Sequence, residues 1–203
     1  MKIVGIAGRS GSGKSTISYR FVDTYPDKIE VLNLDDYQKE DDGKTELPTL
    51  HGMINWDHPD IIRWDKLIKD LHTLQRGNPI TVKTWSHRSN PDYFRHRKMI
   101  PRTIYPREVL IIEGYLALWN ENLRKLYKRY YYLDLDYETS LKRRHKIKFK
   151  DNIYENKILL PMHKKYVEPT KKFADLVLDV SNMREGEVYK KIEDDIKINL
   201  GFI

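Results

Sequence analysis

At 203 residues, with 39% hydrophobic residues and a formal charge of +7, the chain has the length of one domain and enough apolar residues for a real core. It has no cysteine, which excludes thiol catalysis, disulfides and thiolate metal sites together. No apolar stretch approaches the roughly 18 residues of a membrane span, and the start of the chain lacks a signal-peptide pattern, so a cytoplasmic protein that does not engage a membrane is expected.

The apolar run Ile3-Val4-Gly5-Ile6-Ala7 predicts a buried strand over residues 2–7. It leads directly into Gly8-Arg9-Ser10-Gly11-Ser12-Gly13-Lys14-Ser15-Thr16, which spells G-x-x-x-x-G-K-S. Ile17, Phe21 and Tyr25 then recur at helical spacing, predicting a helix over 14–24. This is the strand-turn-helix context that a phosphate-binding loop requires. Glycines at 8, 11 and 13 let the backbone approach a ligand. Successive N–H groups and the helix N-terminus make an anion site. Lys14 is expected at the outer phosphates and the Ser15 hydroxyl on Mg²⁺, so ATP and Mg²⁺ are the expected cofactors.

A second strand, 29–34, delivers Asp35 and Asp36 at its end. Ligands bind at the carboxyl ends of strands in such sheets. Asp35 is the candidate base on a substrate hydroxyl and a candidate Mg²⁺ ligand, against an Asx-type turn as the alternative; Asp36 is expected on the surface. A helix is predicted over 59–75, with Ile61, Trp64, Leu67, Ile68, Leu71 and Leu74 as its apolar stripe, Pro59 in its first turn and Gly77 past its end. Residues 43–56 and 78–107 read as a small insertion with a short hairpin or two. The strand 109–113 ends in Glu113-Gly114, the expected place for an acid that holds Mg²⁺, usually through water, with a structural salt bridge as the alternative. A helix over 120–128, a strand over 130–135, helices over 137–149 and 152–166, a strand over 175–180 and a helix over 185–199 complete the chain. Strands alternating with helices predict an α/β fold, a doubly wound phosphate-loop architecture with a five-stranded parallel sheet.

Charge is uneven. Residues 124–150 hold ten Lys or Arg against three acids, whereas residues 35–46 hold six acids against two lysines. A phosphate-handling site, nucleic-acid binding and a solvated helix face all fit a basic stretch; the absence of a stacking motif beside it argues against nucleic acid.

Several ordered segments resemble the uridine kinase and phosphoribulokinase family of small-molecule kinases. They are residues 8–16, Leu34-Asp35-Asp36-Tyr37, Asn55-Trp56-Asp57-His58-Pro59-Asp60, Ser86-His87-Arg88, Ile112-Glu113-Gly114, Arg143-Arg144 and Pro169-Thr170-Lys171-Lys172-Phe173-Ala174-Asp175. The resemblance implies a kinase acting on the 5′-hydroxyl of a ribonucleoside, with Asp35 as base, Asp57 accepting from a ribose hydroxyl and His87 near the base ring. It also implies Arg143 and Arg144 at the phosphates, Pro169 and Thr170 near the adenine, and Tyr37, Trp85 and Arg88 completing the acceptor side. From the residues alone, Asp57 is equally a helix cap, His87 a surface histidine, and Arg143 and Arg144 a solvated helix face. Two segments depart from the family pattern. Val82-Lys83-Thr84-Trp85 lacks the tyrosine that uridine kinases carry there, and Lys146-Ile147-Lys148-Phe149-Lys150-Asp151 replaces their arginine-rich lid. Residues 143–151 are expected to form a mobile lid. A kinase of another small alcohol, such as nicotinamide riboside or pantothenate, and a non-catalytic nucleotide-binding regulator stand as alternatives. A homo-oligomer is possible.

Overall fold

The computed structural model describes residues 1–86, 88–96, 98–146 and 151–201. Five parallel strands form the central sheet: β1 (Lys2–Gly8), β2 (Ile29–Asn33), β7 (Val109–Glu113), β8 (Arg129–Asp134) and β9 (Leu176–Asp179), in the spatial order β2-β7-β1-β8-β9. Val4 lies opposite Ile111 on one side and Arg129 on the other, and Asn33 lies beside Glu113. Both faces of the sheet are covered, so its strands read as unbroken apolar runs. On one face Val4, Ile6, Val31, Ile111, Tyr131 and Leu133 pack under α1 (Lys14–Thr24) and α8 (Glu185–Leu200). On the other, Ile3, Leu32, Leu110, Ile112 and Tyr132 pack under α2 (Trp64–Gln75) and the segment around Leu116 and Leu123. Polar ties fix α8 to the sheet. Arg129 donates Nε and Nη2 to Asp195 at 2.8 and 2.7 Å, and the Tyr131 hydroxyl donates to the same carboxylate at 2.6 Å.

Two antiparallel hairpins stand apart from the sheet. The strands β3 (Thr49–Leu50) and β4 (Met53–Ile54) form one, and β5 (Ile80–Thr84) and β6 (Ile100–Ile104) the other. The short helix α3 (Tyr93–His96) lies within the second. Among the described residues no helix is long and apolar enough to cross a membrane.

Four helices differ from the sequence expectation. The helix expected over 59–75 begins at Trp64; Pro59–Ile61 is a separate 3₁₀ turn. Backbone pairing explains the break: Lys39 N–H donates to Ile61 O at 2.7 Å and Arg63 N–H to Tyr37 O at 2.9 Å, which holds Ile62 extended at ψ 134°. The helix expected over 120–128 is the single turn α4 (Glu121–Arg124), because Lys128 N–H is drawn to Ile3 O at 2.7 Å to start β8. The helix expected over 137–149 is α5 (Tyr137–Arg144), capped by the Asp136 carboxylate on Thr139 N–H; residues 147–150 lie outside the described residues. The helix expected over 152–166 continues as helical turns to residue 173. Short α segments, α6 (Asn152–Tyr154) and α7 (Leu160–Met162), alternate with π turns at Glu155–Leu159 and His163–Val167 and a final 3₁₀ turn, Glu168–Phe173. Pro161 and Pro169 lack an N–H and crowd the preceding turn, and these wider and tighter turns absorb them.

Gly5 sits at the centre of β1 beneath the Tyr127 ring; a methyl group there would come within 2.6 Å of the ring carbon Cε2. Tyr127 is itself buried, its hydroxyl donating to Ala117 O at 2.9 Å, so it has no room to retreat. Overpacking of this kind costs about 1–3 kcal/mol. Gly5→Ala is therefore expected to lower Tm by about 3–10 °C, measured by thermal denaturation; an unchanged Tm would show that this sheet-to-loop contact yields without strain.

Candidate active site

The carboxyl ends of β1, β2 and β7 meet at one edge of the sheet, and the glycine loop crosses that edge. Gly11 and Gly13 hold φ at 79° and 90°, values that a residue with a Cβ adopts at a cost. Gly13 precedes the first turn of α1 and offers no side-chain cap, so the orphan N–H groups of that turn face outward with the positive end of the helix. The loop also packs against α5. Ser140 Oγ donates to Ser10 O at 2.8 Å, Arg143 Nη1 to Gly11 O at 3.4 Å, and Arg144 Nη1 to Ser10 Oγ at 3.3 Å. A methyl on Gly11 would press on Ser140 O and Arg143 Cβ at 3.1 and 3.2 Å. Arg143 donates through Nη2 to Val180 O and Ser181 O as well, both at 3.1 Å. Lys14 Nζ donates to Arg9 O at 2.9 Å, spanning the loop from inside. Gly8 and Ser12 are buried, while Ser15 and Thr16 are exposed.

Three carboxylates gather at this edge. Glu113, at the end of β7, accepts from Ser15 Oγ at 2.9 Å. Burial pushes its carboxyl up to about 7; Lys14 and the Ser15 hydroxyl oppose the shift, and Asp35 and Asp36 add to it. Asp36, expected on the surface, is instead buried at 4% exposure. The 3₁₀ turn Leu34–Tyr37 at the end of β2 rotates it inward, where Asn33 Nδ2 lies 3.5 Å from Oδ2. Burial, with Asp35 adding, raises its carboxyl to about 6. Asp35 is half-buried and acts electrostatically on both acids. Among the described residues no three acidic or histidine side chains converge as a metal cage. Ser15 and Glu113 are hard oxygen donors 2.9 Å apart, suited to a cation that keeps much of its water and takes phosphate oxygens, the habit of Mg²⁺.

The expected acceptor residues divide. Asp57 is half-buried. It accepts from the Tyr154 hydroxyl at 2.7 Å, and its own N–H donates to Asn55 Oδ1 at 3.2 Å. The cap of the following turn is His58, whose Nδ1 accepts from Asp60 N–H, so capping does not account for Asp57. Tyr115 stands between the two halves: its hydroxyl donates to Trp56 O at 2.6 Å, and burial followed by the nearby Asp57 and Asp35 holds it far above the ordinary phenol range. Tyr37, expected at the substrate, is a core residue at 1% exposure with its hydroxyl donating to Asp70 at 2.8 Å. Arg88 is exposed and lies along α1, donating Nη1 to Asp23 at 2.9 Å with its guanidinium 4.9 Å from the Tyr19 ring. Asp23 follows Lys14 by nine positions, about 13 Å along the helix, which separates Arg88 from the phosphate loop. Trp85 is half-buried, its ring 5.8 Å from that of Tyr93. His87 lies outside the described residues.

Thr170 is buried with its hydroxyl donating to Val167 O at 2.6 Å, and Pro169 is exposed on the same 3₁₀ turn. An open groove beside the loop, about 410 Å³, is lined by residues that include Gly11, Thr16, Arg143, Val180, Met183 and Val188. Sequence reasoning passed over Val180 and Met183, which carry no motif. It also passed over Tyr115, Tyr154 and Glu155. Glu155, at 1% exposure, pairs with Arg144 Nε at 3.3 Å and His145 Nε2 at 2.9 Å. Further in, His163 is 6% exposed, and Tyr132 Oη is 3.5 Å from its Nε2. Burial, reinforced by the positive charges of Arg9 and Lys14, drops its pKa to about 3.

Comparison with known proteins follows the same lines. The model of the phosphoribulokinase / uridine kinase family matches residues 3–189. A uridine kinase of Chlamydia pneumoniae is 30% identical over 216 residues, covering 98% of this chain and 90% of the relative. One of Geobacillus kaustophilus is 33% identical, covering 87% and 84%. Among solved structures, a possible uridine kinase from Bacillus stearothermophilus superposes with a TM-score of 0.61 at 21% identity over 88% of each chain. A shikimate kinase from Acinetobacter baumannii does so with a TM-score of 0.53 at 14% identity, over 98% of this chain and 94% of that one. These two likenesses bear on the fold, which is that of the phosphate-loop kinases.

His163 generates a prediction on acid stability. Its folded pKa, about 3, lies below the unfolded value of 6.5, so the unfolded chain binds the extra proton first. The stability that neutral His163 contributes is complete above pH 6.5 and is lost as pH falls toward 3. Between pH 7 and pH 5 the loss reaches as much as about 2 kcal/mol. His163→Gln is expected to flatten that acid limb in thermal melts; a variant that loses Tm on acidification as steeply as the wild type would place the sensitivity elsewhere.

Proposed function

We propose, for a chain that belongs to the phosphoribulokinase and uridine kinase family, that it transfers the γ-phosphoryl group of ATP to the 5′-hydroxyl of a ribonucleoside. The observation that supports the reading is the meeting at Glu113: Ser15 of the phosphate loop donates to its carboxylate at 2.9 Å, and β2, which leads into Asp35, runs beside it with Asn33 level with Glu113. The phosphate loop and the candidate base therefore share the carboxyl end of the sheet.

In this reading the loop N–H groups from Gly8 to Thr16 cradle the phosphates, with Ser10, Gly11, Ser12 and Gly13 supplying the concavity. Lys14 swings from Arg9 O to the transferring group. Arg143 and Arg144, already bonded to the loop, add cationic charge along its outer side. Asp35 accepts the proton of the acceptor hydroxyl as phosphoryl transfer proceeds; such transfer asks the protein for position and charge more than for covalent chemistry. Asp57 receives an acceptor hydroxyl from the opposite side of Tyr115. Trp85 supplies an aromatic face for the base ring. Mg²⁺, held through Ser15 and Glu113 with Asp35 beside them, would neutralise charge on the phosphates. The groove walled by Val180 and Met183 offers an apolar seat for the adenine, in place of Pro169 and Thr170. The lid expected over residues 143–151 includes residues 147–150, which lie outside the described residues. The relatives named uridine kinases make a pyrimidine ribonucleoside the first acceptor to offer.

The test is ADP release with Mg·ATP over uridine, cytidine and other nucleosides, repeated on two variants. Asp35→Asn is expected to keep nucleotide affinity while kcat falls about 10²- to 10⁴-fold. Lys14→Ala is expected to remain folded and to lose about 3–4 kcal/mol of transition-state stabilisation. Wild-type turnover in a folded Lys14→Ala variant, or a silent Asp35→Asn beside a large loss in Asp36→Asn, would overturn the assignment of roles. No nucleoside consumed by the wild type would overturn the acceptor class.

A further inference from the structure

The Asp57 carboxylate already has an intramolecular partner of the same chemistry as a sugar hydroxyl. The Tyr154 phenol donates to Asp57 Oδ2 at 2.7 Å and accepts from Trp56 N–H at 3.1 Å. Its donor and its main acceptor direction are thus both used within the acceptor loop. Tyr154 N–H is in turn fixed by Asp151 Oδ1 at 3.0 Å. The next residue, Glu155, is anchored in the Arg144–His145 pair, so the phenol is presented from a tethered turn. The half-buried pair is well matched: a phenol donating to a carboxylate is a charge-assisted bond, stronger than a neutral one.

From this juxtaposition we propose that Tyr154 determines acceptor specificity, taking the place of one acceptor hydroxyl on Asp57. The site then accepts a sugar or small alcohol that offers one hydroxyl to Asp57 nearly as well as one that offers a neighbouring pair. The proposal rests on the nucleoside-kinase reading of the site and deepens it: the favoured substrate class widens from ribonucleosides to include their 2′-deoxy counterparts. An enzyme rejects an analogue strongly only where the missing hydroxyl leaves a buried polar group unpaired. Here Tyr154 keeps Asp57 paired when that hydroxyl is missing, so the penalty for the deoxy sugar is small.

The experiment compares kcat/KM for uridine and 2′-deoxyuridine, and for cytidine and 2′-deoxycytidine, in the wild type, Tyr154→Phe and Tyr154→Phe/Asp57→Asn. Thermal melts and Mg·ADP binding verify that each variant is folded. The wild type is expected to separate each pair by less than about tenfold. Tyr154→Phe returns the carboxylate oxygen to the substrate, so the ribo-over-deoxy ratio is expected to rise about 10- to 100-fold, the range of a hydrogen bond to a charged group, mostly through a lower KM for the ribonucleoside. Adding Asp57→Asn is expected to cancel most of that rise. An unchanged ratio in a folded Tyr154→Phe variant overturns the proposal, as does a raised ratio that survives Asp57→Asn. Failure of the underlying reading looks different: no nucleoside of either sugar is phosphorylated by any of the three proteins, and the proposal falls with it.

Discussion

The site is organised around a carboxylate that is expensive to bury. Glu113 ends a strand whose every residue is buried, and its own field is unfavourable: Asp35 and Asp36 stand close enough to raise its pKa further, with Lys14 and the Ser15 hydroxyl in opposition. An isolated carboxylate in such surroundings neutralises or finds a partner. The fold supplies the partner by register. Pairing β1 with β7 sets Ile6 beside Glu113, so the chain leaving β1 and turning through the glycines brings Ser15 back over Glu113 within 2.9 Å. The glycine loop, the first turn of α1 and the acid at the end of β7 form one unit.

What the sequence made legible follows from the length scale of each interaction. The five strands are read within a residue or two because both faces are buried and the apolar run is local information. The expectation 109–113 coincides with β7 at Val109–Glu113. The phosphate loop is equally local. Errors arise where a distant segment decides the outcome. The start of α2 at Trp64 is set by residues 37–39 pairing with residues 61–63. Asp36 turns inward because Asn33 and the hairpin strand β5 meet it. Tyr37 is buried in the core because Asp70, 33 positions on, receives its hydroxyl. Arg88 is captured by Asp23, 65 positions back. Tyr154 and Asp57 are 97 positions apart, and no local pattern marks either as the other's partner.

Tyr154 and Glu155 are consecutive on a helical turn, so their side chains leave it about 100° apart. One reaches the acceptor loop through Asp57; the other reaches the phosphate loop through Arg144, which touches Ser10. The two links differ in strength. Removing a partner from a buried ion pair such as Glu155–Arg144 costs about 3–5 kcal/mol, with Glu155 at 1% exposure and Arg144 at 16%. A hydrogen bond from a neutral donor to a charged group is worth about 1.5–3 kcal/mol, and Tyr154–Asp57 is only half-buried. The turn thus holds the Tyr154 phenol on one oxygen of Asp57 while Glu155 ties it to the arginine that touches the phosphate loop. One helical turn therefore serves both ends of the site.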